Sequence, residues 1–473
     1  MFNKTRILLG LSLLSLTGCE QSLKTSGENR INIIFLMADD LGYGDLSCYG
    51  SQSIETPHID QLAGDGMKFT HFYSGSAVCS PSRASLLTGK FPLRYDVQKH
   101  FSDSTDHLPR RATTLAELLK GQGYQTCHIG KWHLGGLRLS DIEKRKNDEP
   151  ALPGPLQHGF DHYLANIEGR PIRRNHILKR TLYRKGGKTM LRNDERASAV
   201  EDHWTEIKVT EAIQWLSNKR DRDTPFFLNM WFDVPHTPYE PAPAPHLSKY
   251  RKMGVEGDQL LFRSMVSHLD AEIGRLVDYL KENDLYENTL IVFTSDNGPA
   301  HQGSPGPFKG GKTDLHEGGI RVPMIAVLGG KIPEGTISFQ PVHMVDLLPT
   351  ISSLTGFESP RDLDGIDMTR VLLEAGKEVP RPPMLFQMFL YKGYQNQGPK
   401  PTPYATGAVI DGNWKLLTDS LKPVELINLA RDHREIYNLL KEKQGKVDSL
   451  LHFVKEFHKD DRYSWRDVGL PVY

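Results

Sequence analysis

The sequence has little cysteine. Four in 473 residues exclude a fold stapled together by disulfides and leave few thiols to explain. It also lacks an excess of either charge. Lysine plus arginine and aspartate plus glutamate number 58 each, so no overall field draws the chain to nucleic acid or to an acidic membrane. No apolar run reaches the roughly 20 residues that cross a bilayer, and there is no internal repeat or low-complexity tract. What is present is an ordinary globular balance, 38% hydrophobic and 25% charged, which argues against disorder. The length suits one large domain plus a smaller one.

The first residues read as an address. Lys4 and Arg6 precede an apolar run from Ile7 to Leu16, short for a membrane span and suited to an export signal. Leu16-Thr17-Gly18-Cys19 resembles the bacterial lipobox; the bland alternative is an ordinary signal peptide with an incidental cysteine. The expectation is a signal peptide over 1–18, a lipid on Cys19 as the sole membrane attachment, and a polar tether over 19–30. That places the protein in a bacterial cell envelope, in the outer membrane or periplasm. Glu20, where aspartate is associated with inner-membrane retention, favours the outer membrane. An exported compartment also permits a disulfide between Cys48 and Cys127.

Ile31–Met37 is a continuous apolar run that reads as a strand buried on both faces, and Gln125–Ile129, Phe226–Phe232 and Leu290–Phe293 read as three further strands. Helices fall between them. Thr56-Pro57 opens one, and Thr114 caps another that ends at Gly121 and Gly123. A long one carries Leu261, Met265, Leu269, Ile273, Leu276 and Leu280 on a single stripe. This alternation predicts an α/β sandwich around a largely parallel sheet. The last hundred residues differ. Asp411-Gly412 marks a hairpin, and Val447, Leu450, Leu451, Val454 and His458 mark an amphipathic helix. We therefore expect a catalytic domain over 31–375 and a smaller C-terminal α+β subdomain with an antiparallel sheet over 376–473.

Polar motifs follow each of these strands: Asp39-Asp40, then Lys131-Trp132-His133, then His236, then Asp296-Asn297. In open α/β sheets ligands bind beyond the carboxyl ends of the strands, so these motifs should converge on one edge. Two charges about 4 Å apart repel by roughly 4 kcal/mol at an effective dielectric of 20. An acid pair at one strand end and an Asp-Asn pair at another thus call for a hard divalent cation with oxygen ligands; a helix cap and a turn are the plain alternatives. Cys79-Ser80-Pro81-Ser82-Arg83 puts a cysteine at the start of a helix, where amides and dipole favour anions, beside an arginine that can bind an oxyanion.

Cys-x-Pro-x-Arg followed by Leu87-Thr88-Gly89 resembles the signature of the type I, formylglycine-dependent sulfatases. Gly130-Lys131-Trp132-His133-Leu134-Gly135 resembles that family's second motif. Asp39, Asp40, Asp296 and Asn297 match its metal ligands, and Pro235-His236 its histidine. Lys312 ahead of Glu317-Gly318-Gly319 matches its last active-site lysine. The likeness runs from about Ile31 to the Trp414-Lys415-Leu416 hairpin, and the overall pattern is nearest to the arylsulfatase and N-acetylgalactosamine-6-sulfatase branch. The resemblance implies an alkaline-phosphatase-like sandwich and a maturation enzyme that oxidises Cys79 to formylglycine. It also implies one divalent cation, calcium before magnesium, on Asp39, Asp40, Asp296, Asn297 and residue 79.

The roles implied follow from the chemistry. A hydroxyl of the hydrated aldehyde attacks sulfur. Arg83 and Lys131 hold it, and Lys131 and Lys312 neutralise the sulfate oxygens. His236 acts as acid toward the leaving alcohol, and His133 as the base that later expels sulfate. Two rivals stand beside this: a phosphate or phosphonate ester hydrolase, and a lipoprotein that binds sulfated glycans without cleaving them. Arg170, Arg173, Arg174, Lys179, Arg180, Arg184, Lys185, Lys188 and Arg192 form a basic stretch with no acid between them. It reads as a solvated loop or as a rim that grips further sulfates. The second reading predicts a sulfated carbohydrate substrate, an algal galactan or a glycosaminoglycan fragment, and a role in polysaccharide degradation.

Overall fold

The computed structural model describes residues 30–101, 106–147, 149–166, 190–197, 202–388 and 405–459. Apart from Arg30 these belong to one compact unit, Ile31–Tyr473. An 11-stranded sheet runs through it. In chain order its strands are β1 (Asn32–Ala38), β2 (Met67–Tyr73), β3 (Gln125–Lys131), β4 (His162–Asn166), β5 (Met190–Arg192), β6 (Glu195–Arg196), β7 (Phe226–Trp231), β8 (Thr289–Ser295), β9 (Arg321–Val327), β10 (Thr336–Ser338) and β11 (Val342–His343). Across the sheet the order is β10-β2-β9-β8-β1-β7-β3-β4-β5-β6, with β11 beside β2. The centre, β8-β1-β7-β3-β4, is parallel and contains all four expected strands. Antiparallel strands flank it: β9 against β8 and β2 on one side, β5 and β6 on the other.

The β1 run is continuous because both faces of the sheet are covered. In β1, Ile33, Phe35 and Met37 enter a core shared with Leu86 and Leu87 of the helix Cys79–Thr88 and Leu115 and Leu119 of the helix Leu115–Gly121. Ile34, Leu36 and Ala38 enter the opposite core, with Val209 and Ala212 of the helix Trp204–Gln214 and the helix Gly257–Glu282. Each such buried side chain stabilises by about 1.5–3 kcal/mol. The long helix differs from expectation in one detail. Leu261 is only half-buried, while Leu260 and Phe262 are buried. The helices Pro57–Asp65, Trp204–Gln214 and Ala244–Lys252 all pack on it, so its buried face is wider than one stripe.

A separate four-stranded antiparallel sheet follows: β12 (Met384–Gln387), β13 (Gly407–Asp411), β14 (Trp414–Asp419) and β15 (Lys422–Asn428), in that order. Asp411 pairs with Trp414, so the hairpin turn is Gly412-Asn413, one residue later than the sequence signal. Gly412 takes the left-handed φ of +55° that the turn needs. One face of this sheet packs under Val447, Leu450 and Val454 of the helix Gln444–Lys459. The other packs on Tyr73, Ala77, Val78, Leu315 and Ile320. Cys48 and Cys127 are free thiols, with no disulfide between them. Among the described residues no helix is long and apolar enough to cross a membrane. The expected signal, lipobox and tether up to residue 29 and the basic residues 170–188 lie outside the described residues. Arg192 is described, and it is ion-paired. Its Nη2 is 2.6 Å from Glu211 Oε2.

Candidate active site

The parallel register sets the site. Ala38 of β1 lies beside Ser295 of β8, so Asp39-Asp40 and Asp296-Asn297 leave adjacent strands together. Asp40 takes a left-handed φ of +62°, and its amide donates to Asp296 Oδ1 at 3.2 Å. Gly298 lets the next loop close in: a Cβ there would meet the Gly318 carbonyl oxygen at 1.9 Å. Asn297 Nδ2 donates to Asp40 Oδ1 at 2.8 Å and to the Gly298 carbonyl at 2.9 Å. These bonds fix the amide and leave Asn297 Oδ1 buried without a partner.

Cys79 is the first residue of the helix Cys79–Thr88, as expected, and is 1% exposed. Its Sγ is 3.6 Å from Asp39 Oδ1, and Lys131 Nζ is 3.4 Å from the sulfur. One helical turn on, Arg83 is fully buried. It donates to Asp296 Oδ2 at 2.6 Å and to the Lys131 carbonyl at 3.1 Å, with its guanidinium over the Trp231 ring. Lys131, the last residue of β3, reaches Asp39 Oδ2 at 2.7 Å. Lys312 reaches Asp40 Oδ2 at 2.8 Å, and His236 Nε2 lies 3.5 Å from the same oxygen. One ligand atom from each of Asp39, Asp40, Cys79 and Asp296 falls within 4.8 Å of the others. The three carboxylates, the sulfur and the spare Asn297 oxygen are the donor set a divalent cation takes.

Charge in this site is finely set. Burial works to raise the Asp39 carboxyl, but Lys131, His236 and Arg83 outweigh it and hold it well below the usual range. Asp40 is likewise low: Lys312 and His236 overcome burial. Asp296 goes the other way. Burial and the Asp39 charge push it up to about 6 despite the Arg83 contact. Burial and the Asp296 charge push the Cys79 thiol up to about 12. Burial and Lys312 lower His236 to about 4. Burial, Lys131 and Arg83 hold His133 well below the usual imidazole range.

The two histidines are oriented by different means. His236 Nδ1 donates to the Thr237 carbonyl at 2.5 Å, which leaves Nε2 facing Asp40. His133 Nε2 donates to the Phe101 carbonyl at 3.0 Å, and its Nδ1 is buried without a partner. That tautomer presents Nδ1 as an acceptor. Ser80 braces the arrangement: its hydroxyl donates to the His133 carbonyl at 2.8 Å and accepts the Phe101 amide at 2.9 Å. Sequence reasoning passed over Ser80 and Phe101. The one available signal was a polar residue inside an otherwise buried helix start, and a contact with residue 101 cannot be read from spacing. Every site residue expected from sequence is thus brought to one edge of the sheet.

Such an edge, with an anion-binding helix start, a ring of cations and a cluster of oxygen donors, marks a hydrolase of tetrahedral oxyanion esters. Comparison with known proteins narrows this. A family described as Sulfatase matches residues 31–357, and one described as N-sulphoglucosamine sulphohydrolase, C-terminal, matches residues 311–459. The chain belongs to the sulfatase family, whose members are sulfuric ester hydrolases. It is 34% identical over 384 residues to human N-acetylgalactosamine-6-sulfatase, covering 76% of this chain and 68% of that one. It is 31% identical over 473 residues to human arylsulfatase A, covering 90% and 86%. Among solved structures it resembles Ps i-CgsB in complex with k-i-k-neocarrahexaose, with a TM-score of 0.78 and 28% identity over 92% of this chain and 94% of that one.

Proposed function

We propose that this sulfatase removes sulfate from a sulfated carbohydrate, using residue 79 oxidised to formylglycine and one divalent cation, calcium before magnesium. The observation that carries the mechanism is the buried contact of Cys79 Sγ with Lys131 Nζ and Asp39 at a helix N-terminus. Asp39, Asp40, Asp296, Asn297 and residue 79 would hold the cation. When bound, the cation would supply Lewis acidity, and the aldehyde, once hydrated by water, would supply a hydroxyl as the nucleophile. A formylglycine-generating maturation enzyme is the partner this requires.

The remaining work falls to side chains already in place. Lys131 and Lys312 neutralise the sulfate oxygens from two sides as charge builds. Arg83, locked to Asp296, keeps the helix start and the acidic loop in one register. His133 takes a proton at Nδ1, its free nitrogen. His236, neutral with its Nδ1 proton on the Thr237 carbonyl, presents Nε2 as an acceptor, so the acid role expected of it requires Nε2 to take up a proton before passing one to the leaving alcohol. Exposure gives the site a direction. The side chains of Cys79, Arg83, Lys131 and Lys312 are buried, whereas that of His236 is 23% exposed. The sulfate end is therefore enclosed, and the alcohol lies at the open end, where a sugar larger than the sulfate group can sit.

Support for a carbohydrate comes from the relatives: one is named for N-acetylgalactosamine 6-sulfate and one was solved with an oligosaccharide. The test is sulfate release from a panel of sulfated galactan and glycosaminoglycan oligosaccharides beside an aryl sulfate and an aryl phosphate. Turnover of the phosphate alone would refute the reading. We also propose a lipid-anchored position in a bacterial envelope, from Leu16-Thr17-Gly18-Cys19. Cys19→Ser should move the protein out of the membrane fraction, and unchanged association would end that proposal.

A further inference from the structure

Beyond the groups given a role in the chemistry, Lys415 is a buried charge that the mechanism does not use. Lys415 lies in β14, with no exposed surface. With Leu417 it belongs to the face of the C-terminal sheet that packs on Ala77, Val78, Leu315 and Ile320. Its Nζ is 3.1 Å from Glu317 Oε1 and 2.8 Å from Glu435 Oε1. Glu435 Oε2 accepts the Glu317 amide at 2.6 Å. The second oxygen of Glu317 takes the Tyr73 hydroxyl at 3.0 Å and Arg321 Nη1 at 3.3 Å. Two cations thus balance two carboxylates in a buried site.

Glu317 closes the loop that carries Lys312. The Gly318 amide donates to the Lys309 carbonyl at 2.7 Å, and the Gly319 amide to the His316 carbonyl at 2.9 Å. Within that loop the Lys312 amide donates to the Pro299 carbonyl, and the Thr313 amide to the Ala77 carbonyl, both at 2.8 Å. One edge of the loop therefore touches the segments bearing Asp296-Asn297 and Cys79. The other edge is held by Lys415 of β14, by Glu435 in the segment after β15, and by Glu425 of β15, which lies 3.1 Å from His316 Nε2 and 3.3 Å from Lys309 Nζ. A buried ion set is weak evidence for stability, because apolar side chains of similar size serve as well. What it supplies is direction: charges that must meet fix the loop in one position.

We propose that the C-terminal sheet completes the active site, with Lys415 and Glu435 as positioning residues that hold Lys312 over Asp40 through Glu317. The proposal rests on the sulfate-binding role given to Lys312 above. A displacement of about 1 Å at such a group can cost roughly a hundredfold in rate.

The test compares wild type with Lys415→Met/Glu435→Gln, a pair that removes one charge of each sign and leaves Glu317 to Arg321. Hydrogen exchange at the Lys312, Thr313 and Gly318 amides should quicken by roughly tenfold or more, while the core strands β1 and β8 keep their protection. For a small aryl sulfate, kcat/KM should fall roughly tenfold to a hundredfold. In a Lys312→Ala background the same pair should change kcat/KM by less than about twofold, because both act through one group. Unchanged exchange in the loop, or losses that multiply in the combined variant, would overturn the proposal. A fully active Lys312→Ala would instead overturn the role of Lys312. The exchange readout involves no substrate, so the two failures are distinguishable.

Discussion

Lys131 Nζ lies 3.4 Å from Cys79 Sγ and 2.7 Å from Asp39 Oδ2, with all three residues buried. One cation at the end of β3 thus bridges the reactive position on a helix start to the donor set at the end of β1. The sheet register creates this link, and the chemistry proposed here depends on it.

The first prediction concerns the cation. Exhaustive chelation should abolish sulfate release, and calcium should restore it. Asp39→Asn and Asn297→Ala should each lower activity roughly a hundredfold or more, reflecting several kcal/mol of lost Lewis-acid stabilisation. Elemental analysis alongside turnover checks this. A metal-free enzyme at full activity would contradict it.

Arg83 is predicted to be structural as well as catalytic. It is fully buried against Asp296 at 2.6 Å, so in metal-free protein Arg83→Met leaves that buried carboxylate without its ion-pair partner. Stability should fall by about 3–5 kcal/mol, read from denaturant midpoints of the two proteins. A loss below about 1 kcal/mol would mean that Asp296 finds another partner.

Much of this was legible in the sequence, for physical reasons. Strands buried on both faces are rich in apolar residues, so β1, β7 and β8 stood out, with β3 placed by its position after a capped helix, and ligands gather where such strands end. The outer strands did not stand out. β2 carries Lys68, Thr70 and His71, and its place in the sheet comes from pairing with β9 on one side and with β10 and β11 on the other. The tautomer of His133 depends on the Phe101 carbonyl, and the Lys312 loop depends on Lys415, which is distant in sequence. Such pairings follow from tertiary packing, and no local period encodes them.

His316 predicts a pH dependence of stability. Burial works to lower its pKa, but hydrogen bonds to Asp314 and Glu425 outweigh it and raise it to about 9 from 6.5. A raised value means the stabilisation is complete below pH 6.5 and is lost as pH rises through 9. It amounts to at most about 3 kcal/mol. Thermal melts should show wild type losing stability across that window and His316→Gln losing less. Parallel curves would refute the assignment.

The basic stretch predicts how substrate size matters. Neutralising Arg173, Arg174, Lys179 and Arg180 together should raise KM for a sulfated oligosaccharide and spare a small aryl sulfate. Each surface contact contributes about 1 kcal/mol or less and should fade with salt. Equal effects on both substrates, or on neither, would make the segment a plain solvated loop.

The most direct measurement is mass spectrometry of the peptide containing residue 79, taken from protein that is turning over sulfate esters. The account predicts an aldehyde at position 79 in the active fraction, and Cys79→Ala that folds but is inactive. An unmodified thiol at position 79 in fully active enzyme would contradict it.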